Sequence, residues 1–297
     1  MWSSYVDTII RSYKNGWAYF EKLVTNPFPD EGVNMFYLLI VASLVIWGLE
    51  IVIPWRKKQK VFRKDFWLDA FYMFFNFYFF SLLIYGALSN VVIKALKSLL
   101  APLGYEGGHL IDFSELHWGL QLFVFFIIAD FVQWLVHVML HRVPFLWKFH
   151  KVHHSVKEMG FAAHLRYHFF ETFVYQSAKY LTLVMLFGFS LENAFIVYVS
   201  TVVIGHLNHA NLDWSYGPLK YIFNNPKMHI WHHAKDLPEN HPHGMNFGIT
   251  LSCWDYIFGT AYVPRSGRDI ELGFPNDESY PEGFIGQVIE PFKPEKQ

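Results

Sequence analysis

Three histidine groups of fixed spacing constrain this chain more than any other feature. His137 and His141 stand four residues apart. His150-Lys-Val-His153-His154 follows after a short segment, and His229-Ile-Trp-His232-His233 repeats that pattern much later. On a helix, residues four apart share a face. His137 and His141 are therefore expected to aim at one ion from one helix. In each HxxHH run the first histidine is three and four residues from the others, and all three are expected to converge on one centre. Imidazole suits iron, zinc, copper and nickel. It binds only when neutral, so such a site is expected to shed its metal in acid. Two other metal templates find little support. No HExxH occurs, which disfavours a zincin-type protease. A carboxylate-bridged iron site needs two Glu-x-x-His pairs on helices, and the one such spacing, Glu106-Gly-Gly-His109, carries two glycines and reads as a loop.

Composition sets the surroundings. Hydrophobic residues make up 53% and charged residues 16% of the 297-residue chain, against about 25% charged in a soluble domain. Long apolar runs then indicate an integral membrane protein. A net charge of −1 leaves no nucleic-acid footprint, and the single cysteine, Cys253, excludes an intrachain disulfide and a cysteine-rich zinc site. The opening stretch MWSSYVDTIIRSYKNGWAYF lacks an unbroken apolar core, so no cleavable signal is expected.

Residues 1–30 mix aromatics with charges and read as an interfacial helix. Spans are expected at 34–54, with Glu50 its only charge, at 66–94, and at 116–136. A loop covers 95–115. Helices over 173–187 and 191–209, joined by Gly188-Phe189-Ser190, make a hairpin into the membrane, with Ser190 as N-cap. The basic run Arg56–Lys64 assigns its side to the cytoplasm. An even number of crossings separates the second histidine group from the third, so all three are expected on that face. The predicted architecture is an all-α integral membrane protein with about four transmembrane helices: two spans, one span entering the site, and one hairpin. A cytoplasmic helical cap would carry a histidine-rich dimetal site. The chain reads as one domain, 1–297, with a catalytic core over about 116–262 and a polar tail over 263–297. Asp130 lies seven residues before His137, about 10 Å along a helix, and is expected to orient a histidine rather than bind metal. His206 and His209, at the end of the hairpin, are candidate further ligands.

The segments ADFVQWLVHVMLHRVPFLWKFHKVHHS, Arg166-Tyr-His168, HANL from His209, PKMHIWHH ending at His233, and NFG…WDYIFGT from Asn246 to Thr260 carry a resemblance. Over roughly residues 125–262 the chain resembles the fatty acid hydroxylase/sterol desaturase superfamily. The resemblance implies a membrane enzyme with two non-haem iron ions, zinc being the alternative occupant after purification. It implies O2 as co-substrate and a lipid substrate, fatty acyl, alkyl or sterol-like, that is hydroxylated or desaturated. The implied ligands are His137, His141, His150, His153, His154, His229, His232 and His233, joined by His209 and more weakly by His206. Glu171 is implied as a supporting residue, and His168 is not among the ligands. His241-Pro-His243-Gly244 has no haem domain around it, so electrons are expected from a separate donor protein. The roles of His164 and His243 stay open. Two further classes compete. A metal transporter would place its ligands near the bilayer midplane on broken helices. A zinc-dependent hydrolase would need neither O2 nor reductant.

Overall fold

The computed structural model describes residues 2–29, 34–104 and 109–294. Gly107, Gly108, Glu106 and the last three residues of the tail lie outside the described residues, as does Asp30 of the N-terminal segment. Regular structure among the described residues is helical, apart from two isolated β-bridges. Helix α1 (Trp2–Thr25) packs along α4 (Gly86–Leu100). Helix α2 (Met35–Val52) starts on Asn34, whose side chain accepts from the Phe36 N–H at 3.0 Å. The Asn34 amide in turn donates to the Leu23 and Asn26 carbonyls at 2.8 Å, joining α1 to α2. Near the other end of α2, Glu50 Oε1 accepts from the backbone N–H groups of Phe161 (2.9 Å) and Asn211 (2.7 Å). The one charge of this segment is therefore a staple that holds two distant loops.

The stretch read as a second span is one continuous helical path, but its middle is wound differently. It begins as α3 (Phe66–Met73), passes through a π-helical Phe74–Tyr85, and ends as α4. Asn76 explains part of this. Its amide donates to the carbonyls of Leu165 and Tyr167, both at 2.8 Å, and Ser81 Oγ donates to the Asn76 carbonyl five residues back. Side chains that compete for carbonyls loosen the regular ladder. Because α4 runs to Leu100, the loop expected from residue 95 starts later, and Lys94 and Lys97 are helical.

The third expected span is longer than its apolar core. Helix α5 (Trp118–Arg142) carries His137 and His141 within its last turns. Among the described residues it is the one helix long and apolar enough to cross a membrane by length and composition. After Pro144, α6 (Pro144–His154) carries the second histidine group. The hairpin is α7 (Phe169–Gln176), a π turn (Ser177–Leu181), α8 (Thr182–Phe187) and α9 (Leu191–His209). Ser190 caps α9, its Oγ accepting from the Asn193 N–H at 3.0 Å. Phe125 and Ala129 of α5 pack with Leu183, Phe189, Ala194 and Val197 to bind this hairpin to the long helix. Helix α10 (Pro226–His232), capped by Asn225, carries the third group.

The basic run is not a wholly solvated loop. Arg63 is buried against Asp69 of α3 at 2.6 Å. Arg56 Nη2 and Gln59 Nε2 both donate to the Met159 carbonyl, at 3.1 and 2.8 Å. The tail then wraps the outside as expected. Asp277 pairs with Lys157 and with Lys235 (3.1 Å), and Gln287 of α11 (Phe284–Ile289) accepts from the Tyr72 hydroxyl at 2.9 Å.

Candidate metal centre

The three histidine groups, distant in sequence, meet in one buried region. They do so as two sets: His137, His141, His150, His154 and His232 in the first, and His153, His209, His229 and His233 in the second. Within each set the nearest ring nitrogens all lie within 4.8 Å of one another. This corrects the expectation that each HxxHH run serves one centre. His150 and His154, four apart, join the first set while His153 joins the second. In α10 the roles reverse: His229 and His233 join the second set and His232 the first. Neighbours on a helix diverge by about 100°, so adjacent histidines face different centres and each run bridges the two. His206 belongs to neither set among the described residues. Its Nδ1 donates to the Phe161 carbonyl at 3.1 Å, and its ring stands 5.1 Å from that of His164.

Backbone carbonyls fix the tautomers. Nδ1–H donates to the Phe247 carbonyl from His137 (2.7 Å), to the Met245 carbonyl from His232 (2.8 Å), to the Arg166 carbonyl from His153 (3.1 Å), and to the Gly205 carbonyl from His209 (2.7 Å). His150 Nδ1–H donates to Glu171 Oε2 at 2.8 Å. Each of these rings, when neutral, presents a lone pair at Nε2. Yet His137 Nε2 faces His150 Nε2 at 3.1 Å, and His153 Nε2 faces His209 Nε2 at 3.3 Å. Neither nitrogen in either pair has a proton to share. Lone pairs held face to face call for a cation between them. Ligands about 2.1 Å from an ion and roughly 90–110° apart stand about 3.0–3.4 Å from each other, so the separations fit.

Burial keeps these rings neutral. His153 is pushed down to about 3, chiefly because burial disfavours the charged ring, and its repulsion from His137 adds to this. His150, His154, His229, His232 and His233 move the same way for the same leading reason. In the unfolded chain such a ring titrates near 6.5. Below that pH the unfolded state takes up protons that the folded state refuses, so stability falls with acid; above it both states are neutral and the dependence ends. Each such histidine contributes a slope of up to about 1.4 kcal/mol per pH unit. The unfolding temperature of the metal-free protein is expected to drop steeply from pH 6.5 to 5 and to stay level from 7 to 8. A level profile down to pH 5 would contradict buried neutral rings.

The residues expected to support the ligands are placed differently. Glu171 holds His150, and its other oxygen is buried without a hydrogen-bond partner. Glu171→Gln is expected to fold and to weaken metal retention about 10–100-fold, measured by competition with a chelator. Asp130 turns away from the rings: Oδ2 accepts from Trp254 Nε1 (3.0 Å) and from the Leu251 N–H (3.3 Å), tying α5 to the loop after α10. Asp255, not singled out from sequence, does similar work nearer the site. It accepts from Trp134 Nε1 (3.0 Å), the Phe247 N–H (2.9 Å), the Gly248 N–H (2.8 Å) and Thr260 Oγ1 (2.6 Å). The NFG and WDYIFGT segments are thereby locked so that Phe247 offers its carbonyl to His137. A Cβ on Gly248 would meet the Leu251 carbonyl oxygen at 2.4 Å. Gly248→Ala is expected to cost about 1–3 kcal/mol, read as a lowered unfolding temperature. His168 caps α7 and donates to the Val288 carbonyl at 3.0 Å, so it fastens the tail. The His243 carbonyl receives the His141 ring.

Beside both sets lies a cleft of about 100 Å³, lined by His137, His150, His153 and Glu171 and by Leu165, Tyr198, Val202 and Ile249 among others. A helical protein with two adjacent imidazole clusters that could hold metal ions, beside one cleft, is the class that fold and site define. Residues 122–260 match the Fatty acid hydroxylase family model. Through this segment, a little under half of its length, the chain is similar to fatty acid hydroxylases. It is 33% identical over 172 residues to the ornithine lipid hydroxylase OlsE of Rhizobium tropici, covering 58% of this chain and 50% of that protein. It is 28% identical to the alkylglycerol monooxygenase of Xenopus tropicalis (48% of this chain, 30% of that protein) and 29% identical to that of Homo sapiens (46% and 29%). The chain thus spans half or less of the length of these curated relatives. No solved structure matches it significantly.

Proposed function

We propose that the chain is an O2-dependent hydroxylase of a membrane lipid, working with two iron ions held by the two histidine sets. The observation that carries this reading is the pair of facing lone-pair contacts, His137–His150 and His153–His209, with His137, His150 and His153 lining one cleft. His137, His141, His150, His154 and His232 would hold one ion, and His153, His209, His229 and His233 the other; His206 is left out of the set. When bound, the irons supply the oxidising chemistry toward an unactivated C–H bond. The chain supplies the rest. Carbonyls of Phe247, Met245, Arg166 and Gly205 fix ring orientation, and Glu171 Oε2 accepts from His150 Nδ1–H. Leu165, Val202 and Ile249 give the cleft an apolar wall for a lipid chain. The membrane around α5 would deliver that lipid, with the metal sites on the cytoplasmic side marked by Arg56–Lys64 and a separate protein donating electrons. Desaturation would use the same ligands; the hydroxylase and monooxygenase names of the relatives favour hydroxylation. The purified protein reconstituted with iron is expected to bind two ions per chain and, given a reductant, to place one atom of isotopically labelled O2 in its lipid product. A labelled product from zinc-loaded protein, or turnover without O2, would defeat the proposal.

A further inference from the structure

The most basic stretch of the chain, Arg56–Lys64, begins just past the end of α2. Three of its lysines, Lys57, Lys58 and Lys60, are exposed, and no carboxylate pairs with any of them among the described residues. Between α2 and this run lies a hollow of about 190 Å³, which shares no residue with the cleft beside the histidines. Lys57, Gln59 and Lys60 line it together with Ile51, Pro54 and Val61. Apolar surface continues on the same elements. Leu44, Val45 and Val52 of α2 are exposed, as are Phe62 and Trp67, whose rings stack 5.5 Å apart. Unpaired cations next to an exposed apolar helix face are the pattern that meets an acidic lipid head at a membrane surface.

We propose that this hollow holds the phosphate of an anionic glycerophospholipid, with an acyl chain lying along the exposed face of α2, as a binding site separate from the metal centre. The site rests on the membrane placement proposed above and not on the oxidation chemistry. Charge selects the head. Arg63 is met by Asp69 at 2.6 Å, and Glu50, which also lines the hollow, is attracted by Arg63 and Arg56. Of the nearby acids, Glu158 accepts from the Lys64 N–H at 2.8 Å and Asp269 stands 3.7 Å from Arg268. Lys57, Lys58 and Lys60 stay in excess, and a phosphodiester supplies the charge they lack. Apolar area selects the tail. A soluble phosphate would leave Ile51, Val52 and Val61 in water, whereas an acyl chain covers them. Occupancy also reaches the fold. Phe161 and Asn211 line the hollow, and their backbone N–H groups are the ones Glu50 holds, so a lipid seated there braces the staple between α2 and two distant loops.

The test is thermal unfolding of the full chain in dodecylmaltoside micelles with added dioleoylphosphatidylglycerol, dioleoylphosphatidylcholine or glycerol phosphate. Phosphatidylglycerol at roughly a hundredfold excess over its dissociation constant is expected to raise the unfolding temperature by about 5 °C. Phosphatidylcholine and glycerol phosphate are expected to leave it nearly unchanged. Lys57→Gln combined with Lys60→Gln, two exposed positions, is expected to weaken phosphatidylglycerol binding about tenfold. Lys57→Arg with Lys60→Arg keeps the binding, and so does an equal loss of charge elsewhere, Lys97→Gln with Lys220→Gln. Equal stabilisation by phosphatidylcholine, an undiminished response in the Lys57→Gln, Lys60→Gln variant, or an equal loss in the Lys97→Gln, Lys220→Gln control overturns the site. Stabilisation by glycerol phosphate alone makes the hollow a soluble-anion site and overturns the lipid. Polyglutamate binding governed by the same lysines, with no response to phosphatidylglycerol, makes the run a protein-facing surface and does the same. The full phosphatidylglycerol response in a chain that yields no O2-dependent product removes the oxygenase reading and keeps the site. Labelled product with no phosphatidylglycerol response removes the site and keeps the oxygenase.

Discussion

His153→Ala is expected to empty the second metal site and reduce lipid oxidation to background. That site has four nitrogens, His153, His209, His229 and His233. Removing one leaves three and frees the Arg166 carbonyl that oriented the lost ring. The loss in affinity should exceed the roughly 10–100-fold that follows removal of a mere supporting partner. His232→Ala takes one of five nitrogens from the first site, so its ion is expected to persist more weakly while turnover still fails. Metal content per chain, measured alongside product formation, separates the two. Two ions and full activity in either variant would defeat the paired centre.

The second large effect is one of stability. Asp69→Ala is expected to destabilise the protein by about 3–5 kcal/mol, because it leaves buried positive charge uncompensated. Asp69 meets Arg63 at 2.6 Å and Arg166 at 3.2 Å, and all three are buried. Asp65 meets Arg166 at 3.1 Å but is nearer the surface. The consequence should reach the metal. Arg166 is held by these carboxylates, and its carbonyl holds His153. Asp69→Ala is therefore expected to lower both the unfolding midpoint in denaturant and the retention of the second ion. A loss below about 1 kcal/mol, the scale of an exposed pair, would show that the arginines find other partners.

Much of the site was legible because its signals are local. The four-residue spacing of His137 and His141, the two HxxHH runs and the apolar stretches between them are properties of short windows, and helical period turns each into a face. Glu171 came from the resemblance rather than from spacing, and it does hold His150. Lys179, on the cleft wall, could have been found: it is a lone lysine inside the apolar run 173–187, and the structure buries it. Asp130 was legible as a buried carboxylate but not in its role, since its partners Leu251 and Trp254 lie some 120 residues further on.

The sequence by itself determined that imidazoles from three separate segments are available on helices, with no competing carboxylate or cysteine set. Only the tertiary structure decided how they are shared. Whether His153 follows His150 or His209 depends on the rotation of α6 against α9 and α10, and spacing within one helix is silent about rotation between helices. The same holds for the carbonyls of Phe247, Met245 and Arg166, which any residue could offer. Their positions follow from loops pinned by Asp255, Asp69 and Glu50, through contacts between residues far apart in the chain.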